Sequence, residues 1–119
     1  MNSDSIKYID MGLGHVPVLV GPDTPVSKFV SEMVGYGLHG AECLAGVEGT
    51  MAEAVAANAG GISEIVSGVV CKDNAEDKSV KFKIHECGFG PGTSVFSTSF
   101  TSEGEPRYTI TSILLRLSR

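Results

Sequence analysis

The residues best suited to chemistry lie together in the segment from His85 to Ser94, where an imidazole, a carboxylate and a thiol precede a glycine-rich stretch. If the segment begins as a regular strand, His85 and Cys87 share one face, with Cα atoms about 6.5–7 Å apart. Such a pair could work as a nucleophile and its base. Amides of the following loop could then stabilise an oxyanion, which makes its residues candidate ligand-binding positions, namely Gly88, Gly90, Gly92 and Thr93.

The same segment also has a purely structural interpretation, which we favour. Its glycines precede a predicted strand rather than a helix, so neither the dinucleotide-binding fingerprint nor the phosphate-binding loop is matched. Glycine is also common where a hairpin needs a left-handed backbone. We therefore predict a hairpin loop beside an outward-facing His85, and a small enzyme using Cys87 and His85 remains the alternative.

Two further segments could bind a metal ion or an anion. His39 and Cys43 are four residues apart and would share a face only if the segment were helical, and zinc would need further ligands. Gly46–Thr50 precedes a helix, but Glu48 and Glu53 oppose an anion there. We therefore predict no metal site and no cofactor.

Lysines and a histidine form a basic stripe on one predicted hairpin, comprising Lys72, Lys78, Lys81, Lys83 and His85. A solvated face is the favoured interpretation, because alternating lysines protect a sheet from edge pairing. Contact between the Lys72–Lys83 hairpin and an acidic partner or a nucleic acid is the weaker alternative. The net charge of −5 makes nucleic-acid binding an unfavoured expectation.

Composition predicts a folded domain in a reducing compartment. The chain has 119 residues, of which 42% are hydrophobic, enough for a core without disulfide or metal staples. Its three cysteines are an odd number without a CxxC motif, which favours free thiols and a cytoplasmic location. No signal peptide is recognisable, and no apolar run approaches the roughly 20 residues of a membrane span. We expect one domain over residues 1–119, with residues 1–5 as a flexible tail.

Two helices are indicated in the first half of the chain. Thr24 and Pro25 suit the N-cap and first position of a helix whose apolar residues recur every three or four positions. Gly35 or Gly37 should end it. Thr50 and Glu53 have the spacing of a capping box for a second helix. The structure of residues 38–49 stays open.

The remaining pattern is that of strands. Short ones are expected near Ile6–Asp10 and Val16–Val20, and four longer ones after residue 61, namely Ile62–Lys72, Ser79–Cys87, Ser94–Ser102 and Arg107–Leu117. Short connections favour a four-strand meander. The predicted fold class is α+β, a two-layer sandwich of a mainly antiparallel sheet with two helices on one face.

The last predicted strand provides the favoured functional hypothesis. Its end is apolar on both faces, which fits either a central strand or a subunit contact through Ile113, Leu115 and Leu117. We therefore expect a non-enzymatic binding or self-assembly module rather than an enzyme. Its expected partners are a second copy or a small ligand, without nucleic acid or membrane.

Overall fold

A computed structural model of the chain describes residues 6–8 and 14–118. The expected tail at residues 1–5 lies outside these residues, as does most of the turn expected between the first two strands. Five strands are present in the described part, namely β1 (Ile6–Tyr8), β2 (His15–Val20), β3 (Val66–Asp73), β4 (Lys78–Lys83) and β5 (Tyr108–Ser118). Its α-helices are α1 (Val26–Gly35), α2 (Met51–Ala56) and α3 (Val95–Thr98). Short 3₁₀ segments occupy Ala41–Leu44, Ala59–Glu64 and Ile84–Glu86.

The strands form one antiparallel sheet in the order β1-β2-β5-β3-β4, which confirms the α+β class. β5 is the central strand and pairs with β2 along one edge and with β3 along the other. Ile113 and Leu115 alternate with the half-buried Leu114, and all six residues of β2 pair with it. The expected meander is therefore wrong, since β5 lies between β2 and β3 rather than beside β4.

The core lies between one sheet face and the helical layer. Val18 and Leu115 are cross-strand neighbours on the inner face, and both are fully buried. α1 contributes Phe29 and Met33 to the same apolar cluster, and α2 contributes Met51. The outer face keeps polar and half-buried residues, so the sheet is one-sided as the alternation of strand residues predicts.

The predicted strand Ser94–Ser102 is the clearest local error. Ser94 caps α3 instead, since its Oγ accepts from the amide of Phe96 at 3.2 Å and donates to the carbonyl of Ala56 at 2.8 Å. Phe96 is buried against Phe82 and Tyr108, whereas Phe100 is 58% exposed. The two phenylalanines thus do not share the buried strand face that their spacing suggested.

The signals for the starts of both predicted helices are accurate to within a residue. α1 begins one position later than predicted, because Pro25 is extended (φ −61°, ψ 137°) and occupies the N-cap. Thr24 is buried and its hydroxyl does not cap the helix. Gly37, at φ +74°, follows the end of α1, and Thr50 and Glu53 form the expected capping box. None of the helices in the described part is both long and apolar enough to span a membrane.

Candidate functional site

The predicted thiol–imidazole pair is separated by the local fold. The strand ends at Lys83, whose amide donates to the carboxylate of Glu86 at 2.9 Å, and a 3₁₀ turn follows. This turn leaves His85 exposed and buries Cys87, so the expectation that they share an outer strand face is wrong. Burial, and secondarily the nearby Glu86, raises the pKa of Cys87 to about 11. A buried thiol with a raised pKa is a poor nucleophile at neutral pH.

The glycine-rich loop after Cys87 uses its backbone to close a turn. Gly90 and Thr93 exchange two hydrogen bonds of 3.1 and 3.2 Å around Pro91 and Gly92, and Gly92 has φ +68°. Proline followed by a left-handed glycine is typical of a type II turn. The carbonyl of Gly90 also accepts from Asn58 at 2.9 Å. The amides of Gly90 and Thr93, which an oxyanion site would need, therefore already donate to each other's carbonyl oxygens, while Gly88 is exposed at φ +63°.

The three candidate interface residues lie inside the core. Ile113, Leu115 and Leu117 are 0%, 0% and 1% exposed, respectively. They face the helical layer, so a second subunit could reach them only if the core opened. Of the two explanations for the apolar last strand, the central strand is the correct one.

The basic hairpin and the His39–Cys43 segment each form a local ion pair. Lys72, Lys81 and Lys83 occupy outer-face positions of β3 and β4. Lys72 pairs with Asp77 of the same hairpin at 3.1 Å. His39 instead pairs with Glu42 at 3.3 Å, and the described residues contain no group of three or more side chains able to hold a metal ion.

A groove that the sequence analysis did not identify lies between α1 and the loop 44–50. It consists of two adjoining concavities of about 430 and 420 Å³. We call it the α1 groove; its walls are Pro25, Ser27, Val30 and Ser31 on the helix side and residues 44–50 on the loop side. Ser27, Val47 and Glu48 belong to both concavities. Both concavities are shallow and open to solvent, although their volumes overlap the range of small-molecule sites.

Backbone hydrogen bonds hold the groove's two walls together. The amide of Val26 donates to the carbonyl of Gly49 at 2.9 Å, and the amide of Met51 donates to the carbonyl of Thr24 at 2.8 Å. Gly49 has φ +95°, a conformation that favours glycine. The loop is therefore fixed against the start of α1, which leaves the groove preformed.

The groove combines an apolar floor with a few polar groups. Val30, Leu44 and Val47 supply apolar surface, while Ser27 and Glu48 add an exposed hydroxyl and an exposed carboxylate. No lysine or arginine lines either concavity within the described part of the chain. The lining therefore offers a carboxylate and a hydroxyl beside apolar surface, without a cationic side chain.

A close glycine contact supports the groove floor from behind. A Cβ at Gly60, which has φ +61°, would lie 2.5 Å from the carbonyl oxygen of Cys43 and 3.3 Å from a methyl carbon of Leu44. Only glycine lets the 59–64 segment approach Ala41–Leu44 this closely. The contact joins residues far apart in sequence, so no local pattern could have revealed it.

An ion pair between the buried Asp73 and the partly exposed Arg107 lies next to a smaller concavity, which is formed by the β3–β4 turn and the segment before β5. Asp73 is 2% exposed, and Arg107 donates to both of its carboxylate oxygens at 3.2 and 3.1 Å. These bonds are the main reason that the pKa of Asp73 is lowered. The adjacent concavity measures about 280 Å³ and includes Glu103 and Glu105. Because Asp73 also accepts from the amide of Ala75, its role is to fix the β3–β4 turn.

Comparisons with known proteins find similarity to part of an enzyme. No protein-family model matches the chain. UDP-N-acetylenolpyruvoylglucosamine reductase from Thermobifida fusca is 29% identical over 123 aligned positions, which include 100% of this chain and 33% of that protein. The crystal structure of the reductase of the same name from Thermus caldophilus has a TM-score of 0.71 and 25% identity, with 85% of this chain and 36% of that one covered.

These similarities correct the functional prediction. The chain spans about a third of the length of either similar protein, and both are named as reductases. The hypothesis of a non-enzymatic binding or self-assembly module is therefore wrong. This chain is similar to a domain-sized portion of an enzyme.

Proposed function

We propose that this chain acts as a domain of a reductase for a nucleotide-linked amino sugar and that the α1 groove contacts this substrate. The observation that carries the proposal is the similarity to UDP-N-acetylenolpyruvoylglucosamine reductase along the whole chain. The fold of the Thermus caldophilus reductase supports it, because 85% of this chain is covered. The groove adds a surface with the size and polarity of a small-molecule site.

The chemistry of reduction limits what this domain contributes. Reduction of an enolpyruvyl double bond adds a hydride to one carbon and a proton to the other, and the hydride donor is oxidised. Hydride donors in proteins are nicotinamides and flavins, which are commonly bound as diphosphates. The groove does not fit that part of such a donor, since its described lining has no cation and includes Glu48. We therefore assign to the groove contact with the sugar part of the substrate rather than with its diphosphate, and we assign no hydride-transfer step to its residues.

The test is substrate binding by two matched variants. Val47 is half-buried in the groove loop, whereas Val34 is 54% exposed at the end of α1 and does not line the groove. Val47→Asp should weaken the binding of UDP-N-acetylglucosamine by at least about tenfold, because it places a second carboxylate in an apolar floor. Val34→Asp should bind as the original chain does.

Isothermal titration calorimetry on the three full-length chains provides the measurement, with circular dichroism as the control for folding. Equal affinities for the two aspartate variants would contradict binding in the groove. Failure of the unaltered chain to bind the nucleotide sugar at millimolar concentration would contradict the proposed function as a whole.

A further inference from the structure

The helices pack on the inner face of the sheet, and the outer face keeps an apolar centre that is partly exposed. Leu19 of β2 and Leu114 of β5 are cross-strand neighbours on this face, and both are half-buried. Pro17 of β2 and Val70 of β3 lie next to them on the same face and are also half-buried. We call these four residues the outer-face patch.

Cations border the outer-face patch on both sides. All charged side chains at outer-face positions of the described strands are cations, although the chain as a whole has a net charge of −5. Lys7 on β1 is the cross-strand neighbour of Leu19, and Lys83 on β4 is the neighbour of Gly68, which in turn faces Leu114. One row across the sheet therefore has a lysine at each end and two leucines between them. The exposed cations of this face that form no ion pair with a described residue are Lys7, Lys81, Lys83 and Arg116.

The spacing of these cations matches the width of an α-helix. Neighbouring strands lie about 4.8 Å apart, so β1 and β4 each lie about 10 Å from the central β5. A helix lying along β5 has a diameter of about 10–12 Å with its side chains. The apolar stripe of such a helix would contact Leu19 and Leu114. Acidic side chains on its two flanks would then be within reach of Lys7 on one side and of Lys81 and Lys83 on the other.

We infer that the outer-face patch docks an acidic amphipathic helix of a partner protein. The apolar stripe of the helix packs on Leu19 and Leu114, and its carboxylates pair with the cations on β1 and β4. This surface shares no residue with the α1 groove, so the inference goes beyond the proposed function and does not rest on it.

A nucleic acid is the other polyanion that these cations could attract, but the outer face does not favour it. Single strands bind through aromatic side chains on which their bases stack. Phe82 of β4 and Tyr108 of β5 instead pack against the core and contact each other edge to face. Leu19 and Leu114 also occupy the middle of the face, where a phosphate backbone would need cations. The combination of an apolar centre and cationic flanks therefore fits the helix better.

The probe is a synthetic peptide of about five helical turns, roughly 18 residues, with leucines in one stripe and glutamates and alanines elsewhere. Two matched peptides control for its properties. One has lysine in place of every glutamate, and the other has the original composition with its leucines spread around the helix. Fluorescence anisotropy of the labelled peptides, titrated with the full chain, should show saturable binding of the first peptide only. This binding should weaken as the salt concentration rises.

Variants of the full chain separate the apolar contribution from the electrostatic one. Leu114→Lys removes an apolar anchor and adds a cation. Helix docking therefore predicts binding at least about tenfold weaker, whereas attraction by charge alone predicts tighter binding. Lys83→Glu should weaken binding by about tenfold, and Lys28→Glu, the same change of charge on an exposed residue of α1, by less than about twofold. Circular dichroism checks folding, and Leu19→Lys provides a second anchor variant with the same expected loss.

The inference is overturned if the unaltered chain does not bind the acidic peptide, or if the lysine peptide binds as tightly. It is also overturned if both anchor variants, Leu114→Lys and Leu19→Lys, bind the acidic peptide at least as tightly as the unaltered chain does. Tighter binding of a single-stranded oligonucleotide than of the acidic peptide would overturn it in favour of a nucleic-acid surface. None of these outcomes bears on the α1 groove, which the calorimetric titration with the nucleotide sugar tests separately.

Discussion

The close approach of Gly60 to Cys43 behind the α1 groove gives the sharpest test of how the 59–64 segment packs. The neighbouring Gly61 has a similar backbone conformation but no such contact. Gly60 and Gly61 both have a left-handed backbone, at φ +61° and +74°. A Cβ at Gly60 would meet the carbonyl oxygen of Cys43 at 2.5 Å, whereas a Cβ at Gly61 would meet no atom within 4 Å. Comparing alanine at each position therefore separates the cost of the backbone conformation from the cost of the close approach.

The expected magnitudes follow from these distances. Gly61→Ala should lower the free energy of unfolding by about 1 kcal/mol, the usual penalty for a side chain in the left-handed region. Gly60→Ala carries the same penalty and a steric one, since an ordinary contact of 3.4 Å requires the Cys43 carbonyl to move by about 0.9 Å from 2.5 Å. Overpacking of this kind costs about 1–3 kcal/mol more. At about 4 °C per kcal/mol, the thermal midpoint of Gly60→Ala should lie roughly 4–12 °C below that of Gly61→Ala.

Urea unfolding of the two variants, followed by circular dichroism, measures this difference directly. Because Leu44 lines the groove and follows Cys43, Gly60→Ala should also weaken ligand binding more than Gly61→Ala. Equal unfolding free energies for the two variants would refute the close packing of the 59–64 segment on the groove floor.

Three further outcomes are expected from other parts of the molecule. Thr50→Ala should lower the free energy of unfolding by about 1 kcal/mol through loss of the α2 cap, with Thr50→Ser restoring most of it in urea titrations. The pKa of Asp73 is lower in the folded chain than its unfolded value of about 4, so its pairing with Arg107 stabilises the fold above that pH and is lost on acidification. Asp73→Asn should therefore flatten the fall of stability below pH 4, and an unchanged acid profile would disprove that assignment. Alkylation followed by mass spectrometry should modify the exposed Cys43 first and Cys87 only in denaturant, since burial raises the Cys87 pKa to about 11; equal rates in the native chain would be inconsistent with that burial.

Capping signals in the sequence predicted the ends of helices well. The capping box at Thr50 and Glu53 and the end of α1 near Gly37 are properties of a few neighbouring residues, and the structure contains both. The fold class could be predicted for the same reason, because the alternation of apolar and polar residues in β4 is visible within that strand alone. Strand order was not accessible in this way, since the position of β5 depends on pairing with β2 about a hundred positions earlier.

The candidate site was missed for a related reason. His85 and Cys87 are reactive side chains that are close in sequence, which made them the predicted site. The 3₁₀ turn at Ile84–Glu86 then separated them into an exposed and a buried position. The α1 groove, in contrast, forms where the loop 44–50 is bonded to the start of α1, as in the contact between Val26 and Gly49. The glycines of this loop and the helix α1 were each visible in the sequence, but the contact between them was not.

The measurement that addresses the central claim most directly is the amide chemical-shift map of the isotopically labelled full chain, titrated with UDP-N-acetylglucosamine. Our account expects saturable shifts concentrated in the loop 44–50 and at Ser27, with the amides of the outer sheet face unchanged. Shifts centred on the Gly88–Thr93 turn or on the outer lysines would contradict it, as would a spectrum that does not change as the nucleotide sugar is added.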